Sequence, residues 1–521
     1  MAALPNSGSF FFFLPELVLA GGILLILAVG LVRPASPRQV PAALAALTAI
    51  VALVCTPFSQ PPSPVGLFGG LLARDPFGDY FKIVGCLTAA FVALLSIRSR
   101  EVTDFLADAR NPDREAPEFA ALLLSATLGV LLLATATDLL MVYLGLEWVS
   151  IMSYVMTGFA RGSRRSSEAA LKYIIYGGVA SGAFLYGLSL LYGLAASTDL
   201  QAVRVALAQA PTAVALAALG LTLAGLGYKV AVVPFHMWCP DVYEGAPTPV
   251  TAFLSVAPKA AGLALVMRFF GMLAPPFSEA AGDSDLPTML ALVIGVMTMT
   301  VGNLSALGQR NIKRLLAYSS IAHAGYLFLA VAAGAPRGYQ AVLFYLGLYL
   351  FMSLSVFAVV VAVIDRTGGE TIESWRGLGR RMPLPAFCMT VGLFALAGLP
   401  PTAGFIGKFT LFRSVVAAGA ERGAGVFYVA ALLAVLNTVV SLYYYVRIIR
   451  AMYLEPPPPE PGSSPVSIRG REPTVVRLRT SPLLVVLLVG LTVPVVLLGL
   501  FFGPLHDLSR TALAMWLPAP P

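Results

Sequence analysis

Residues 225–259 read GLGYKVAVVPFHMWCPDVYEGAPTPVTAFLSVAPK. The stretch places Lys229 at the end of one apolar run and Lys259 within the next, with a proline-rich, partly polar break between them. Pro234, Pro240, Pro247, Pro249 and Pro258 cannot all belong to smooth helix interiors, because each lacks an N–H and its ring clashes with the preceding turn. The spacing therefore predicts an interrupted helix, a short re-entry and a new helix. Inside a bilayer, broken backbone persists only where it is buried in protein or lines a wet cavity. Two lysines beside such a break point to an ion path.

Composition supplies the bilayer. Hydrophobic residues make up 58% of the 521 and charged residues 12%, the mean hydropathy is +0.84, and a soluble domain carries roughly 25% charged residues. The expected fold class is an all-α polytopic membrane protein. Apolar runs of spanning length fall at 13–32, 40–57, 79–97, 117–137, 138–160, 169–195, 207–233, 250–272, 288–306, 315–334, 339–364, 383–412, 426–446 and 481–503, about fourteen transmembrane helices. The first run has no basic stretch before it and leads into further spans, which favours a retained helix over a cleaved signal peptide. Cys55, Cys86, Cys239 and Cys388 show no paired spacing, so they read as packing residues and not as a disulfide framework or cluster site.

Charge placement tests the count. The odd-numbered connections hold 22 lysines and arginines, from Arg33 and Arg38 in the first to Arg477 and Arg479 in the last; the even-numbered connections and tails hold seven, among them Arg74, Arg204 and Arg268. By the positive-inside rule the odd connections face the cytoplasm and both termini the opposite side. The net charge of +8 then follows from topology. No basic stripe is interleaved with aromatic residues, so nucleic acid is not an expected partner.

Five lysines remain: Lys82, Lys172, Lys229, Lys259 and Lys408. Lys82 and Lys172 lie near span ends, where a long stem can snorkel to the headgroups; an interfacial and a functional role both stand for them. Lys229, Lys259 and Lys408 sit deeper, and Glu147 is the acidic residue near the middle of a span, Glu16 and Asp138 being at span ends. Each central charge costs roughly 2.5–3.5 kcal/mol on insertion scales, and four of them roughly 10–14 kcal/mol if independent. Function accounts for that cost better than structural ion pairing does.

The second half echoes the first. Residues 396–412, LAGLPPTAGFIGKFTLF, again form a run broken by prolines and glycines with one lysine, Lys408, beside the break. Two interrupted helices at corresponding places predict two inverted five-helix repeats with broken helices 7 and 12. Helices 4–8 would mirror 9–13, pairing Lys229 with Lys408 and setting Glu147 opposite His323 in RLLAYSSIAHAGYLFLA (314–330). The chain accordingly divides into helices 1–3 (1–116), a first repeat (117–272), a second repeat (288–453), a Pro/Arg-rich connector (454–480), and helix 14 with a tail (481–521).

Four blocks carry a resemblance: PFHMWCPDVYEGAPTPVTAF (234–253) between Lys229 and Lys259, YLGLEWVSIMSYVMTGF (143–159) around Glu147, EAALKY (168–173), and AGLPPTAGFIGKF around Lys408. In type, order and spacing they resemble subunit N of respiratory complex I, the proton-translocating NADH:quinone oxidoreductase, and its photosynthetic relative. Multisubunit cation/proton antiporters share the PFH…W.PD core, but VYEGAPTPV looks like the N type. A related family member carries a long lateral helix after its last span; residues 503–521 are too short for one.

The resemblance implies a translocase subunit of a respiratory chain in the bacterial inner membrane, built from two half-channels. It implies no redox centre or cofactor on this chain; FMN, iron–sulfur clusters and quinone would belong to the parent complex, and the partners would be its antiporter-like and small membrane subunits. Glu147 would keep Lys229 protonated, Lys229 would be the first pumping base, Lys259 the relay and Lys408 the base at the exit. Lys172, on the sixth span, would tune Glu147 as a competing cation. Burial weakens a lysine's hold on its proton and a nearby carboxylate strengthens it, which suits lysine, unlike arginine, to such a role. His236, in the break, reads as a helix cap or a gate to proton uptake. His323 reads as a proton carrier or a polar packing contact, and His506 as a surface residue. Three histidines without a spaced pair do not make a haem site. Asp241 and Glu244 read as capping and loop packing, Tyr443, Tyr444 and Tyr445 as an aromatic belt, and Asn437 as a residue that orders water or bonds another helix. A gradient-driven cation/proton antiporter subunit and a non-pumping scaffold are the alternative classes; sodium dependence would mark the first, and indifference to loss of the four charges the second.

Overall fold

A computed structural model of the chain describes residues 2–3, 6–32, 37, 39–61, 63–97, 99–103, 116–280, 286–457 and 478–514. Most of the Pro/Arg-rich connector, together with Arg33, Arg38, Arg98, Arg110, Arg114 and the last seven residues, lies outside the described residues.

The spans follow in order as Leu14–Val32, Gln39–Phe58, Pro76–Ser96, Ala116–Thr135, Leu139–Thr157, Arg164–Ala195, Thr212–Val230, Thr248–Ala280, Leu286–Leu307, Ile312–Ala333, Arg337–Thr367, a divided twelfth, Gly425–Leu454 and Pro482–Leu500. The twelfth is split into Pro383–Ala397 and Ala403–Arg422, as its central prolines require. Thirteen helices among the described residues are long and apolar enough to cross a membrane by themselves, and the divided twelfth completes the series of fourteen. Burial is graded: span eight is wholly enclosed and spans ten and eleven nearly so, whereas the first, sixth and fourteenth present most of their surface outward. Apolar side chains facing lipid lose nothing by it, so an outward Leu or Val there needs no partner.

The seventh span departs from the expected 207–233. Pro211 separates a short helix, Leu200–Gln209, capped by Asp199, from the span proper. After Val230 the chain breaks, re-enters as Trp238–Gly245 and restarts at Thr248. Of the five prolines, Pro258 alone lies well inside a helix, where it frees the carbonyl four residues earlier. A small sheet also forms between spans two and three: Val65–Leu67 pairs antiparallel with Leu72–Arg74 and parallel with Ala2–Ala3.

The side holding the even-numbered connections contains charges that the sequence reading placed in loops. Arg74 is buried, ion-paired to Asp79 at 2.8 Å and bonded to the Thr56 carbonyl and Ser59 Oγ. Arg268, also buried, grips both Asp75 oxygens at 3.0 and 3.2 Å, donates to the Ala134 carbonyl at 3.2 Å and lies over the Phe77 ring. Lys82 does not snorkel; it pairs with Glu16 at 2.7 Å with both side chains 1% exposed. Both residues lie within a few turns of the span ends, and burial on all sides leaves the ammonium no route to the headgroups. These contacts tie spans one, three, four and eight together. Arg268→Leu leaves Asp75 buried and unpaired, and is expected to cost about 3–5 kcal/mol. The loss reads as a lowered heat-inactivation midpoint of the purified assembly, and Asp75→Asn in the same chain is expected to recover part of it.

Candidate functional site

Span seven stops at Val230 because Ala231 takes the left-handed conformation, φ 63°, and its N–H caps the Gly227 and Tyr228 carbonyls. Lys229 is thereby held in the last turn, at the negative end of the helix dipole. Its ammonium donates to Ser150 Oγ on span five at 3.1 Å, and Ser150 donates onward to the Leu146 carbonyl. Glu147, one turn before Ser150, accepts from Ser181 Oγ on span six and lies within electrostatic reach of Lys229. Each charge is thus held by a serine and not by the other.

Lys259 follows Pro258 on span eight. It donates to Ser320 Oγ on span ten at 2.6 Å and lies 5.6 Å from the Tyr243 ring, within cation–π range. Tyr349 of span eleven also donates to Ser320, at 3.0 Å. Between them is a small cavity lined by Ser255, Lys259, Ser320, His323 and Tyr349, with room for about one water. His323 Nδ1 meets the Tyr345 hydroxyl at 2.6 Å. Gly262, one turn from Lys259, lets the Lys229 stem pass: a Cβ there would stand 3.3 Å from Lys229 Cγ.

In the divided twelfth span, Lys408 lies on the second half, yet its ammonium folds back to the first. It donates to the Ala397 carbonyl at 3.1 Å and faces the Tyr326 ring at 4.9 Å. Gly398 makes this possible. Its φ is +86°, and a Cβ there would sit 2.9 Å from Lys408 Cδ. Lys229, Lys259, His323 and Lys408 are therefore a buried series across both halves, with the half-buried Glu147 at its first end.

Lys172 and His236 lie elsewhere. Lys172 is 41% exposed and pairs with Glu168 and Asp241, each at 2.9 Å; Ser181, the residue that bonds Glu147, is about 14 Å farther along the same helix at 1.5 Å per residue. Lys172 thus pairs with the re-entrant helix and makes no ion pair with Glu147. His236 is half-buried in the break, and its carbonyl accepts from Cys239 at the start of that helix. Asp241 and Glu244 are ion-pair partners instead of caps: Arg314 joins both, at 2.5 and 3.0 Å. Beside them Lys313 reaches Glu101, Glu370 and the Ala246 carbonyl. Burial pushes the Asp241 carboxyl up, but hydrogen bonds from Lys172 and Arg314 outweigh it and hold the group below its usual range. A depressed carboxyl contributes stability that is present above its unfolded value, about 3.9, and lost as pH falls through the folded one.

The tyrosines correct another expectation. Tyr443 is 65% exposed, as a belt residue should be, but Tyr444 and Tyr445 are 1% exposed because they face inward toward spans nine and ten. Asn437 bonds another helix, accepting from Asn303 at 3.1 Å. Ser150, Ser181, Ser320 and Tyr326 escaped the sequence reading because serine and tyrosine in an apolar helix give no charge signal. Asn303, polar within GNLS of span nine, carried the same signal as Asn437.

Residues 136–434 match the family described as NADH:quinone oxidoreductase/Mrp antiporter, TM. The NADH-quinone oxidoreductase subunit N of Anaeromyxobacter sp. (strain Fw109-5) is 46% identical over 87% of this chain and 89% of its own length. This chain belongs to the subunit N family. Subunit N 2 of Sorangium cellulosum is 43% identical over 98% of this chain and 99% of its own. Among solved structures, a chain of respiratory complex I from Thermus thermophilus with bound aureothin superposes with a TM-score of 0.74 at 32% identity, over 95% of this chain and 99% of that one. A chain of the Mrp complex from Dietzia sp. DQ12-45-1b shares the fold, with a TM-score of 0.80 at 24% identity over 97% of both. Subunit N is thus an antiporter-like membrane subunit of a proton-translocating oxidoreductase.

Two expectations test the geometry. Gly398→Ala imposes a left-handed residue, about 1–2 kcal/mol, and displaces Lys408 from the Ala397 carbonyl; proton pumping by the assembled complex is expected to fall while assembly survives. Asp241→Asn is expected to raise hydrogen exchange in Trp238–Gly245 at pH 7, whereas the native pairing loosens only below about pH 4.

Proposed function

We propose that Glu147, Lys229, Lys259 and Lys408 carry the protons that subunit N moves, with His323 between the last two. The observation that carries this reading is the buried series itself. Each lysine ammonium is bonded to a serine hydroxyl or a helix-end carbonyl, contacts that hold an amine with or without its extra proton. No lysine of this series is locked to a carboxylate, so a proton can leave each one without stranding a buried anion.

The same reading assigns the surroundings. Glu147 is half-buried in mid-span among the exposed Leu144, Trp148 and Ile151. A carboxylate facing lipid costs roughly 2.5–3.5 kcal/mol, so this face of spans five and six is covered by another membrane subunit of the complex. FMN, iron–sulfur clusters and quinone are carried by other subunits, and quinone reduction there drives the changes at Glu147. The arginine-rich odd connections face the cytoplasm of a bacterial inner membrane.

Glu147→Ala tests the assignment. Complex bearing it, reconstituted in vesicles, is expected to transfer electrons and assemble normally yet pump fewer protons per NADH. Wild-type acidification per electron would remove Glu147 from the path.

A further inference from the structure

One side chain fastens the re-entrant helix to the turn that carries Lys229. The indole Nε1–H of Trp238, the first residue of that helix, donates to the Tyr228 carbonyl at 2.9 Å. That carbonyl belongs to the peptide unit leading directly into Lys229. Carbonyls in the last turn of a helix run short of partners along their own ladder. Here the Val232 N–H, which would complete the ladder to Tyr228, goes to the Gly227 carbonyl at 2.9 Å, and Tyr228 keeps only the Ala231 N–H at 3.1 Å besides the indole. Trp238 is itself held: 2% exposed, it stacks on the Tyr173 ring of span six at 4.4 Å and 14°. The Tyr228 hydroxyl donates to the Tyr173 carbonyl at 3.0 Å, so Tyr228 is gripped at both its carbonyl and its side chain. Three residues beyond Trp238, Asp241 fixes the same helix to Lys172, the chain neighbour of Tyr173. Phe235 closes another side of the turn; a Cβ on Gly227 would stand 2.8 Å from its ring.

We infer that Trp238 is a positioning residue for Lys229: its N–H fixes the peptide unit between Tyr228 and Lys229, and with it the direction in which the Lys229 stem leaves span seven toward Ser150. The inference rests on the proposed lysine path. A long stem on a turn free to rock would spread its ammonium over several positions, and the contact with Ser150 at 3.1 Å and the reach of Glu147 both depend on where that turn stands. Burial weakens a lysine's hold on its proton and a nearby carboxylate strengthens it. A turn displaced relative to span five therefore changes the pH at which Lys229 exchanges its proton, which a loss of packing elsewhere does not. A buried indole commonly finds some acceptor for its N–H. Here the acceptor is the carbonyl next to the first lysine of the path, and the ring that reaches it is clamped between span six and the ion-paired end of its own helix.

The test compares Trp238→Phe, Lys229→Ala and the double variant in the complete complex reconstituted in vesicles, reading protons pumped per NADH as the assay pH is varied. Trp238→Phe keeps a ring against Tyr173 and removes the N–H. It is expected to lower the ratio part of the way to the level of Lys229→Ala and to displace the pH of half-maximal pumping. The double variant is expected to pump as Lys229→Ala alone does, since a residue that acts through Lys229 adds nothing once the amine is gone. If Trp238→Phe lowers pumping in equal proportion at every pH, or if the double variant falls below Lys229→Ala, the indole only packs and the inference falls. Wild-type pumping and pH profile in Trp238→Phe, beside a loss in Lys229→Ala, would overturn the positioning role and leave the lysine path standing. If Lys229→Ala itself pumps as wild type, the lysine path falls and the positioning role with it. Where Trp238→Phe does not assemble, benzothienylalanine in place of Trp238, which keeps the bicyclic ring and lacks the N–H, gives the same comparison.

Discussion

The structure turns on what happens where a helix stops inside the membrane. An unbroken span satisfies every backbone group and offers a buried ammonium nothing. A break exposes carbonyls at the end of the first half-helix and concentrates the dipole's negative end there. Lys229 lies in such a last turn, and Lys408 reaches back across its break to the Ala397 carbonyl. The two halves thus place an amine at a helix carboxyl end by different means, one along its own helix and one across a gap. Lys259, on an unbroken helix, has no such end and relies on Ser320 and the Tyr243 ring.

Breaks are weak points, and the chain restrains them from outside. The re-entrant helix Trp238–Gly245 hangs between two gaps, but Asp241 and Glu244 fasten it to Lys172 and Arg314, while Lys313 holds the Ala246 carbonyl just beyond it. On the other face, Arg268 clamps the far part of span eight, the helix that carries Lys259, to Asp75 and the end of span four. These pairs fix span eight at both faces, and between them the lysines keep softer partners. Rigid ends with a loosely bonded middle suit a path whose charges must change.

The spans and the four central charges were legible in the sequence because each is long or costly. A twenty-residue apolar run rarely arises outside a membrane, and a mid-span charge rarely persists without a use. The two breaks were marked by proline. Arg74, Arg268 and Lys82 were misplaced, since composition cannot distinguish a charge at a span end that reaches water from one that turns inward to meet Asp79, Asp75 or Glu16. The hydroxyl partners stayed hidden for a different reason. Serine and tyrosine cost little in a helix whether or not they face a charge, so their roles emerge only when six spans are brought together. Tyr443, Tyr444 and Tyr445 show the limit: adjacent and identical, they divide into one outward and two inward residues by helical phase alone.

The asymmetry between the halves then constrains how charge can move. Among the described residues the series holds three lysines but a single carboxylate, Glu147, at one end. In a medium of effective dielectric near 20, two like unit charges repel by about 4 kcal/mol at about 4 Å and still by about 1 kcal/mol at three times that separation. On the proposed lysine path, charging all three ammonium groups at once against one counter-charge is disfavoured. The first half, with its carboxylate, can hold a charge while the second half stays neutral. In the second half Lys408 faces only a carbonyl and an aromatic ring, partners that tolerate an ammonium without fixing it. The first half thus has a counter-charge in Glu147, whereas Lys259 and Lys408 are held by a hydroxyl, a carbonyl and aromatic rings alone.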